Sequence, residues 1–275
     1  MNRKAGPTTH ETAEVTPGGG AQHIGTAALE ALWTGGWDST YIVLDAVLSD
    51  ERPLRPHYVD DPDRPSAAHE IETMRRIHAA LAQHAPEAAA RLAPLRVVAK
   101  ADIPAVADVD AWYAALSART HVAPQYAWLS RYATTLEAPL ALGIIRRSGG
   151  LRDVIGPELE EGEDGTRRLR SEPSDEAFEL FRPFVYPTIE LTKLDMRERA
   201  RERGFLPLLE LSWFCHEPRC NGAPCGFCIP CRDAREQGMG WRLTTGARWR
   251  GRLFDAAPGG FLKRAVRRAL RSLTP

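Results

Sequence analysis

Apolar positions along the first hundred residues alternate between short continuous runs and helical spacing. The run at 27–34 predicts a buried strand, and the runs at 54–59 and 95–99 predict two further strands. A helix is predicted over 39–48, and a second one, capped by Ser66, carries apolar residues three or four positions apart, namely Ile71, Met74, Ile77 and Leu81.

The pattern is less regular in the rest of the chain. Residues 104–147 predict helices interrupted by prolines, residues 153–156 predict a fourth strand, and the charged stretch 158–176 predicts an exposed loop. A further helix is predicted over 192–203. Strands that alternate with helices predict an α/β fold with a doubly wound parallel sheet.

The composition is that of a globular protein with a sizeable core. The chain has 275 residues, of which 43% are hydrophobic, and 36 basic residues balance 36 acidic ones. This balance argues against electrostatic binding of nucleic acid over the whole surface of the protein. Residues 1–25 predict a disordered leader without a signal peptide or membrane span, so we expect a cytoplasmic protein without a transmembrane segment.

A glycine pair separates the first predicted strand from the first predicted helix. It lies in a loop made of Thr34, Gly35, Gly36, Trp37, Asp38, Ser39 and Thr40. Glycines let backbone amides approach an anion, and the helix that follows points its free N–H groups at the same place. In a doubly wound sheet this turn lies where ligands bind. The chain lacks a GxxxxGK[ST] motif, so a polyphosphate site of another type is predicted. The alternative is a plain strand-to-helix turn.

All five cysteines lie within residues 215–231. Cys225, Cys228 and Cys231 form two overlapping CxxC pairs, a spacing typical of a closed, structural zinc site. The fourth ligand is Cys215 or Cys220, with His216 as a weaker candidate. A redox dithiol and an iron–sulfur cluster are the alternatives to zinc.

Together, the loop and the cysteines resemble 7-cyano-7-deazaguanine synthases, the QueC-like branch of the PP-loop ATP pyrophosphatases. The matching segments are TGGWDST at 34–40, LTK at 191–193 and the C-terminal cysteines. The resemblance implies a PP-loop domain over 26–210, followed by a zinc-binding segment over 211–245. It also implies that the metal ligands are Cys215, Cys225, Cys228 and Cys231, which leaves Cys220 as the surplus thiol.

The resemblance further implies an enzyme that converts ATP to AMP and pyrophosphate and activates a carboxylate or amide oxygen for attack by ammonia or another nitrogen nucleophile. Residues 34–40 would then bind the pyrophosphate, Asp38 would orient the loop or bind Mg²⁺, and Lys193 would supply a positive charge. Lys193 is equally compatible with an ordinary surface lysine. The expected partners are a small-molecule acceptor and a nitrogen donor, and a homodimer is compatible with the sequence.

Two segments depart from the family, namely Asp60, Asp61, Pro62 and Asp63 after the second strand, and the region around Gln125. We expect substrate choice to differ there. A non-catalytic nucleotide- and zinc-binding partner protein in a biosynthetic or defence assembly is therefore the competing class. Residues 246–275 form a basic amphipathic tail, which makes a nucleic-acid partner possible but not favoured.

Overall fold

The computed structural model describes residues 28–162, 164–259 and 261–272, so the predicted leader lies outside the described residues. The strands are β1 Leu29–Leu32, β2 Leu54–Asp60, β3 Arg96–Ala99, β4 Leu140–Ala141, β5 Leu159–Glu161, β6 Arg167–Leu169 and β7 Phe184–Tyr186. The α-helices are α1 Trp37–Leu48, α2 Ala67–His84, α3 Pro86–Ala90, α4 Ala107–Ser117, α5 Gln125–Ala133, α6 Leu151–Ile155, α7 Lys193–Glu202, α8 Leu206–Leu209, α9 Ile229–Glu236, α10 Thr245–Ala256 and α11 Phe261–Ser272.

The strands form one sheet in the order β3-β2-β1-β4-β7-β6-β5. The first five of these are parallel, and β6 and β5 extend the sheet as antiparallel strands. The chain runs outward from β1 to β2 and β3, and it returns to the other side of β1 with β4. The carboxyl ends of β1 and β4 therefore meet at the point where the strand order reverses, which is where such sheets bind ligands.

Helices cover both faces of the sheet, because alternate strand residues point to opposite sides. Ala141 and Val185 pack in one core with α1, α2, α7 and α8. Their neighbours Leu140 and Phe184 pack in a second core with α4, α5 and the 3-10 helix Glu176–Phe181. The predicted α/β fold is confirmed. The predicted doubly wound parallel sheet is confirmed only as a mostly parallel one, because β5 and β6 pair in antiparallel fashion.

Three local predictions were wrong. The fourth strand is β4, inside the stretch predicted as helical, whereas residues 153–156 belong to helix α6 and the 3-10 turn after it. A buried two-residue strand leaves almost no period to detect, and the β-branched pair at 154–155 imitates a strand. The predicted loop 158–176 contains β5 and β6, which an Arg170–Glu158 ion pair of 2.7 Å supports.

Ser66 stands at the predicted N-cap position of α2, but its hydroxyl makes no cap hydrogen bond to the helix backbone. It donates instead to the Glu70 carboxylate at 2.7 Å. The predicted helix at 192–203 is confirmed as α7, which Thr192 caps and which is followed by Gly204 with a φ of +80°.

Candidate functional site

The glycine loop connects β1 to α1 at the reversal point of the sheet. Gly35 has a φ of +66°, and a Cβ there would lie 3.0 Å from the Glu70 carbonyl oxygen, so a side chain would strain the turn. Gly36 is the N-cap residue of α1 and provides no side-chain cap. The first N–H groups of α1 therefore have no partner within the helix, which makes this end of α1 suitable for an anion.

The hydroxyl groups of the loop fall into two sets. Thr34 and Ser39 lie 3.2 Å apart, oxygen to oxygen, and both line the cavity in front of α1. Thr40 is fully buried, and its hydroxyl accepts a hydrogen bond from the Trp33 indole at 3.1 Å. The Thr40 side chain therefore supports the loop from the core and does not line the cavity, and its predicted role as a ligand stays a prediction.

Asp38 and Lys193 meet in the cavity although 155 positions separate them in the chain (193 minus 38). The Lys193 ammonium lies 3.6 Å from the Asp38 carboxylate. Burial raises the pKa of Asp38, and the positive charge of Lys193 partly offsets this rise. The second carboxylate oxygen, Oδ1, is buried and has no hydrogen-bond partner in the described part of the chain. An unpartnered carboxylate oxygen of this kind suits a metal ion or a ligand hydrogen bond.

Lys193 is the first residue of α7, whose N-cap is a reciprocal capping box between Thr192 and Asp195. A lysine at this end of a helix faces an unfavourable macrodipole. Its side chain is nevertheless only 18% exposed and lines the cavity. This placement favours a role in ligand binding over that of an ordinary surface lysine.

A cavity of about 400 Å³ opens in front of the loop. This volume lies within the range of small-molecule sites. Its lining includes the charged side chains of Asp38 and Lys193 and the apolar and aromatic side chains of Tyr126, Trp128 and Leu129 of α5. The cavity thus offers charged groups for phosphate and apolar side chains for a ring or an acceptor.

A buried carboxylate forms part of the same wall. Glu70 is 3% exposed and accepts hydrogen bonds from Tyr58 at 3.1 Å, Arg64 at 2.7 Å and Ser66 at 2.7 Å. Sequence reasoning did not assign these residues to the site. Glu70 follows the second strand closely, which was the available signal, but only the fold brings Arg64 and Tyr58 to it.

Gly143 is a second residue that sequence reasoning missed. It follows β4, and a Cβ at this position would lie 3.1 Å from the Ser39 nitrogen and 3.0 Å from the Asp38 Cβ. Any larger residue would fill the space in front of the α1 terminus. A glycine directly after a buried apolar run was the signal, but the run had been assigned to a helix.

The four cysteines predicted as metal ligands lie together. Their sulfur atoms are all within 4.8 Å of one another, with 3.8 Å between Cys215 and Cys228 and 3.9 Å between Cys225 and Cys231. A disulfide needs about 2.05 Å between sulfurs. Tetrahedral bonds of about 2.3 Å to one ion place sulfurs about 3.8 Å apart. The cluster therefore fits a single tetrahedral metal ion.

Close backbone packing holds this cluster in place. Gly226 has a φ of +94°, and a Cβ there would lie 1.9 Å from the Ala247 carbonyl oxygen. Gly251 approaches the same turn, since its Cβ would lie 2.5 Å from the Gly226 carbonyl oxygen. The sequence assigned helix α10 to a separate tail. It packs instead directly on residues 213–236, which are called the cysteine segment below. The predicted domain limits themselves stay a prediction.

The two alternative ligands lie elsewhere. Cys220 is exposed and does not belong to the cluster. His216 lines the cavity, and burial lowers its pKa. Other cavity residues of the cysteine segment are Trp213, Phe214, Ile229, Pro230 and Asp233. The segment that carries the metal ligands therefore also forms one wall of the cavity.

The two segments that depart from the resembled family lie at different places relative to the cavity. Gln125 lines the cavity, whereas Asp61 forms an ion pair of 2.8 Å with Lys100. Asp60, which ends β2, and the two aspartates after it, Asp61 and Asp63, do not line this cavity. The expectation that substrate choice has moved is thus compatible with Gln125, and it stays a prediction.

The end of the chain is basic in the structure as well. Arg248, Arg252, Arg264 and Arg268 are exposed, and none of them forms an ion pair with a carboxylate in the described ranges. A nucleic-acid partner and a homodimer remain predictions. No helix in the part of the chain that the structure describes has both the length and the apolar character needed for a membrane crossing.

Comparisons with known proteins add little to this picture. No protein-family profile matches the sequence, and no curated protein matches it either. Among solved structures, the chain is similar to NMN synthetase from Francisella tularensis, with 11% sequence identity and a TM-score of 0.35. The match covers 90% of this chain and 89% of that chain. The chemistry of the site is therefore argued from its own residues.

Proposed function

We propose that this protein is an ATP-dependent adenylating enzyme. It would cleave ATP to AMP and pyrophosphate and activate a carboxylate or amide oxygen for attack by ammonia or another nitrogen nucleophile. One observation carries the proposal: the uncapped N-terminus of α1, Asp38 and Lys193 converge in one cavity at the reversal point of the sheet. The motif resemblance to the QueC-like synthases supports the same chemistry.

The charged groups that line the cavity are those that this reaction needs. Attack of an acceptor oxygen on the α-phosphorus expels pyrophosphate, and negative charge builds up on the leaving group. Backbone N–H groups at Trp37 to Ser39 and the Lys193 ammonium are placed to stabilise that charge. Little covalent participation by the protein is required, because the step depends on position and electrostatics.

The donor sets fit both proposed metals. The unpartnered Oδ1 of Asp38 fits Mg²⁺, which prefers carboxylate oxygens and phosphates and would neutralise charge on the nucleotide. Four buried thiols fit Zn²⁺, since zinc takes tetrahedral sulfur ligands. A site closed by four protein ligands leaves no position for water, so we assign the cysteine site a structural role.

The test is the release of pyrophosphate. The protein is incubated with ATP, Mg²⁺, ammonium and a panel of carboxylate acceptors, and AMP and pyrophosphate are measured. We expect equal amounts of AMP and pyrophosphate that depend on one acceptor. ATP binding without any pyrophosphate, across the panel, would instead support the non-catalytic partner protein.

Lys193→Ala tests the role assigned to the Lys193 charge. We expect pyrophosphate release to fall about a hundredfold, because the leaving group loses its point charge. Lys100→Ala is the matched control, since that lysine is also ion-paired to an aspartate but lies outside the cavity. An equal effect of the two substitutions would contradict the assignment.

A further inference from the structure

One arginine lies between the cysteine segment and the start of α1. Arg242 ends a short 3-10 turn after α9, and its guanidinium stands 5.0 Å from the Trp37 ring centroid and 5.1 Å from that of Phe214. Trp37 is the first residue of α1 and precedes Asp38, whereas Phe214 precedes the metal ligand Cys215. A single side chain therefore contacts both halves of the site.

The polar contacts of Arg242 fix the same segment. Its guanidinium donates to the carbonyl oxygen of Ser212 and, at 3.4 Å, to that of Glu210. Both carbonyls belong to the chain that leads into the cysteine cluster. Next to them, the backbone N–H of Trp213 donates to the Gly35 carbonyl oxygen at 2.7 Å. This bond links the chain directly to the glycine loop. The arginine and the backbone bond thus hold the same junction from two sides.

Arg242 forms no direct ion pair with a carboxylate within the described ranges. Carbonyl oxygens and two aromatic faces contact its guanidinium, and the negative charges of Glu210 and Asp38 act on it from a greater distance. Burial lowers its pKa to about 10, so it stays protonated at neutral pH. Keeping a partly buried cation without a carboxylate in direct contact costs free energy. Such a group is expected where its charge or its geometry serves a ligand.

We infer that Arg242 is a positioning residue, which fixes the first turn of α1 against the cysteine segment and so sets the affinity of the loop for nucleotide. This inference rests on the proposed function for its ligand. It makes the cysteine segment part of the nucleotide site. It also predicts that a substitution of Arg242 loosens the glycine loop and the start of α1 but leaves the metal bound.

The decisive experiment compares Arg242→Gln, Arg242→Lys and the control Arg197→Gln. Arg197 is a matched control because its guanidinium also stacks on a tryptophan, 4.3 Å from the ring of Trp241, and Trp241, unlike Trp37, does not line the cavity. Amide hydrogen exchange is measured without nucleotide over residues 37–42, with residues 71–81 of α2 as an internal reference. Metal content and ATP affinity are measured on the same samples.

For Arg242→Gln we expect faster exchange over residues 37–42, an unchanged α2 segment and unchanged metal content. The Kd for ATP should rise about tenfold or more, in line with the loss of a desolvated cation–π contact. Arg242→Lys should recover part of the affinity, because it keeps the charge but loses the forked hydrogen bonds. Arg197→Gln should match the wild type in all three measurements.

Unchanged exchange over residues 37–42 in Arg242→Gln, with the metal retained, would overturn the inference. An unchanged Kd for ATP would overturn it equally. If Arg242→Gln fails to fold, the same criteria apply to Arg242→Lys. Failure of the proposed function looks different, because the wild type would then not bind or cleave ATP, while the exchange data would still show whether Arg242 orders the loop.

Discussion

The cysteine cluster and the nucleotide cavity share a wall but are built in different ways. All four thiols come from residues 215–231, and close backbone contacts at Gly226 and Gly251 hold them. The cavity draws instead on residues from Leu32 to Asp233, gathered at the reversal point of the sheet. A metal site can thus be encoded over a short stretch, whereas an anion site made of helix N–H groups needs the whole sheet to position it.

Removal of one cysteine should produce the largest effect. Cys228→Ser leaves a single metal ion with three thiolates, so we expect loss of the metal and unfolding of the C-terminal segment, since such metals contribute folding free energy directly. Metal analysis and thermal denaturation measure both. Cys220→Ser is the control and should change neither. A Cys228→Ser protein with full metal content would break the comparison.

Loss of the charge at Asp38 should strongly reduce catalysis and leave the cysteine segment folded. We expect Asp38→Asn to lower pyrophosphate release about a hundredfold, because a preorganised charge is lost from the site. Metal content should stay at the wild-type value. Asp45→Asn on the same helix is the control, since Asp45 pairs with Arg203 outside the cavity. A loss of metal in Asp38→Asn would show that the two regions are not separable.

Two glycine substitutions compare the regions directly. Gly226→Ala should cost more than about 2 kcal/mol of unfolding free energy, because it combines a left-handed backbone with a severe clash. Gly35→Ala should cost about 1–2 kcal/mol and weaken ATP binding, with the metal retained. Denaturant unfolding and metal analysis distinguish them. Gly240→Ala, which has open space around the site of its Cβ, should be neutral.

The pH profile should report the contact between Asp38 and Lys193. Burial raises the pKa of Asp38 and Lys193 lowers it, so loss of the lysine charge should raise the pKa further. Because the ionised carboxylate is the active form, kcat/KM falls as the pH drops through this pKa. In Lys193→Ala the acid limb should therefore move up by about one pH unit. A limb that stays in place, or that moves equally in Lys100→Ala, would contradict this.

Shortening of the tail should have the smallest effect. Residues 261–275 lie beyond α10, whose Ala247 and Gly251 support the cysteine segment. We expect deletion of 261–275 to leave metal content and pyrophosphate release unchanged within about twofold. Binding of a short RNA duplex, measured by gel shift, should weaken on this deletion only if the basic tail binds nucleic acid. A loss of metal on this deletion would extend the cysteine segment beyond α10.

The sequence by itself determined which local segments carry chemistry. The glycine pair, the cysteine spacing and the helix at Lys193 are local patterns, because each depends on backbone conformation or on residues a few positions apart. The alternation of runs and helical periods was also enough for the α/β class. It was not enough for β4, whose two residues have too short a pattern to distinguish a strand from a helix.

Only the tertiary structure decided what these segments do to one another. It brought Lys193 to Asp38, turned Thr40 into the core, placed Glu70 in the cavity wall and inserted Arg242 between Trp37 and Phe214. The contacts of Lys193 and Arg242 join residues that are far apart in the chain, and no periodicity encodes them. The physical reason is that a local pattern fixes only which face a residue presents, while the order of the strands fixes what that face meets.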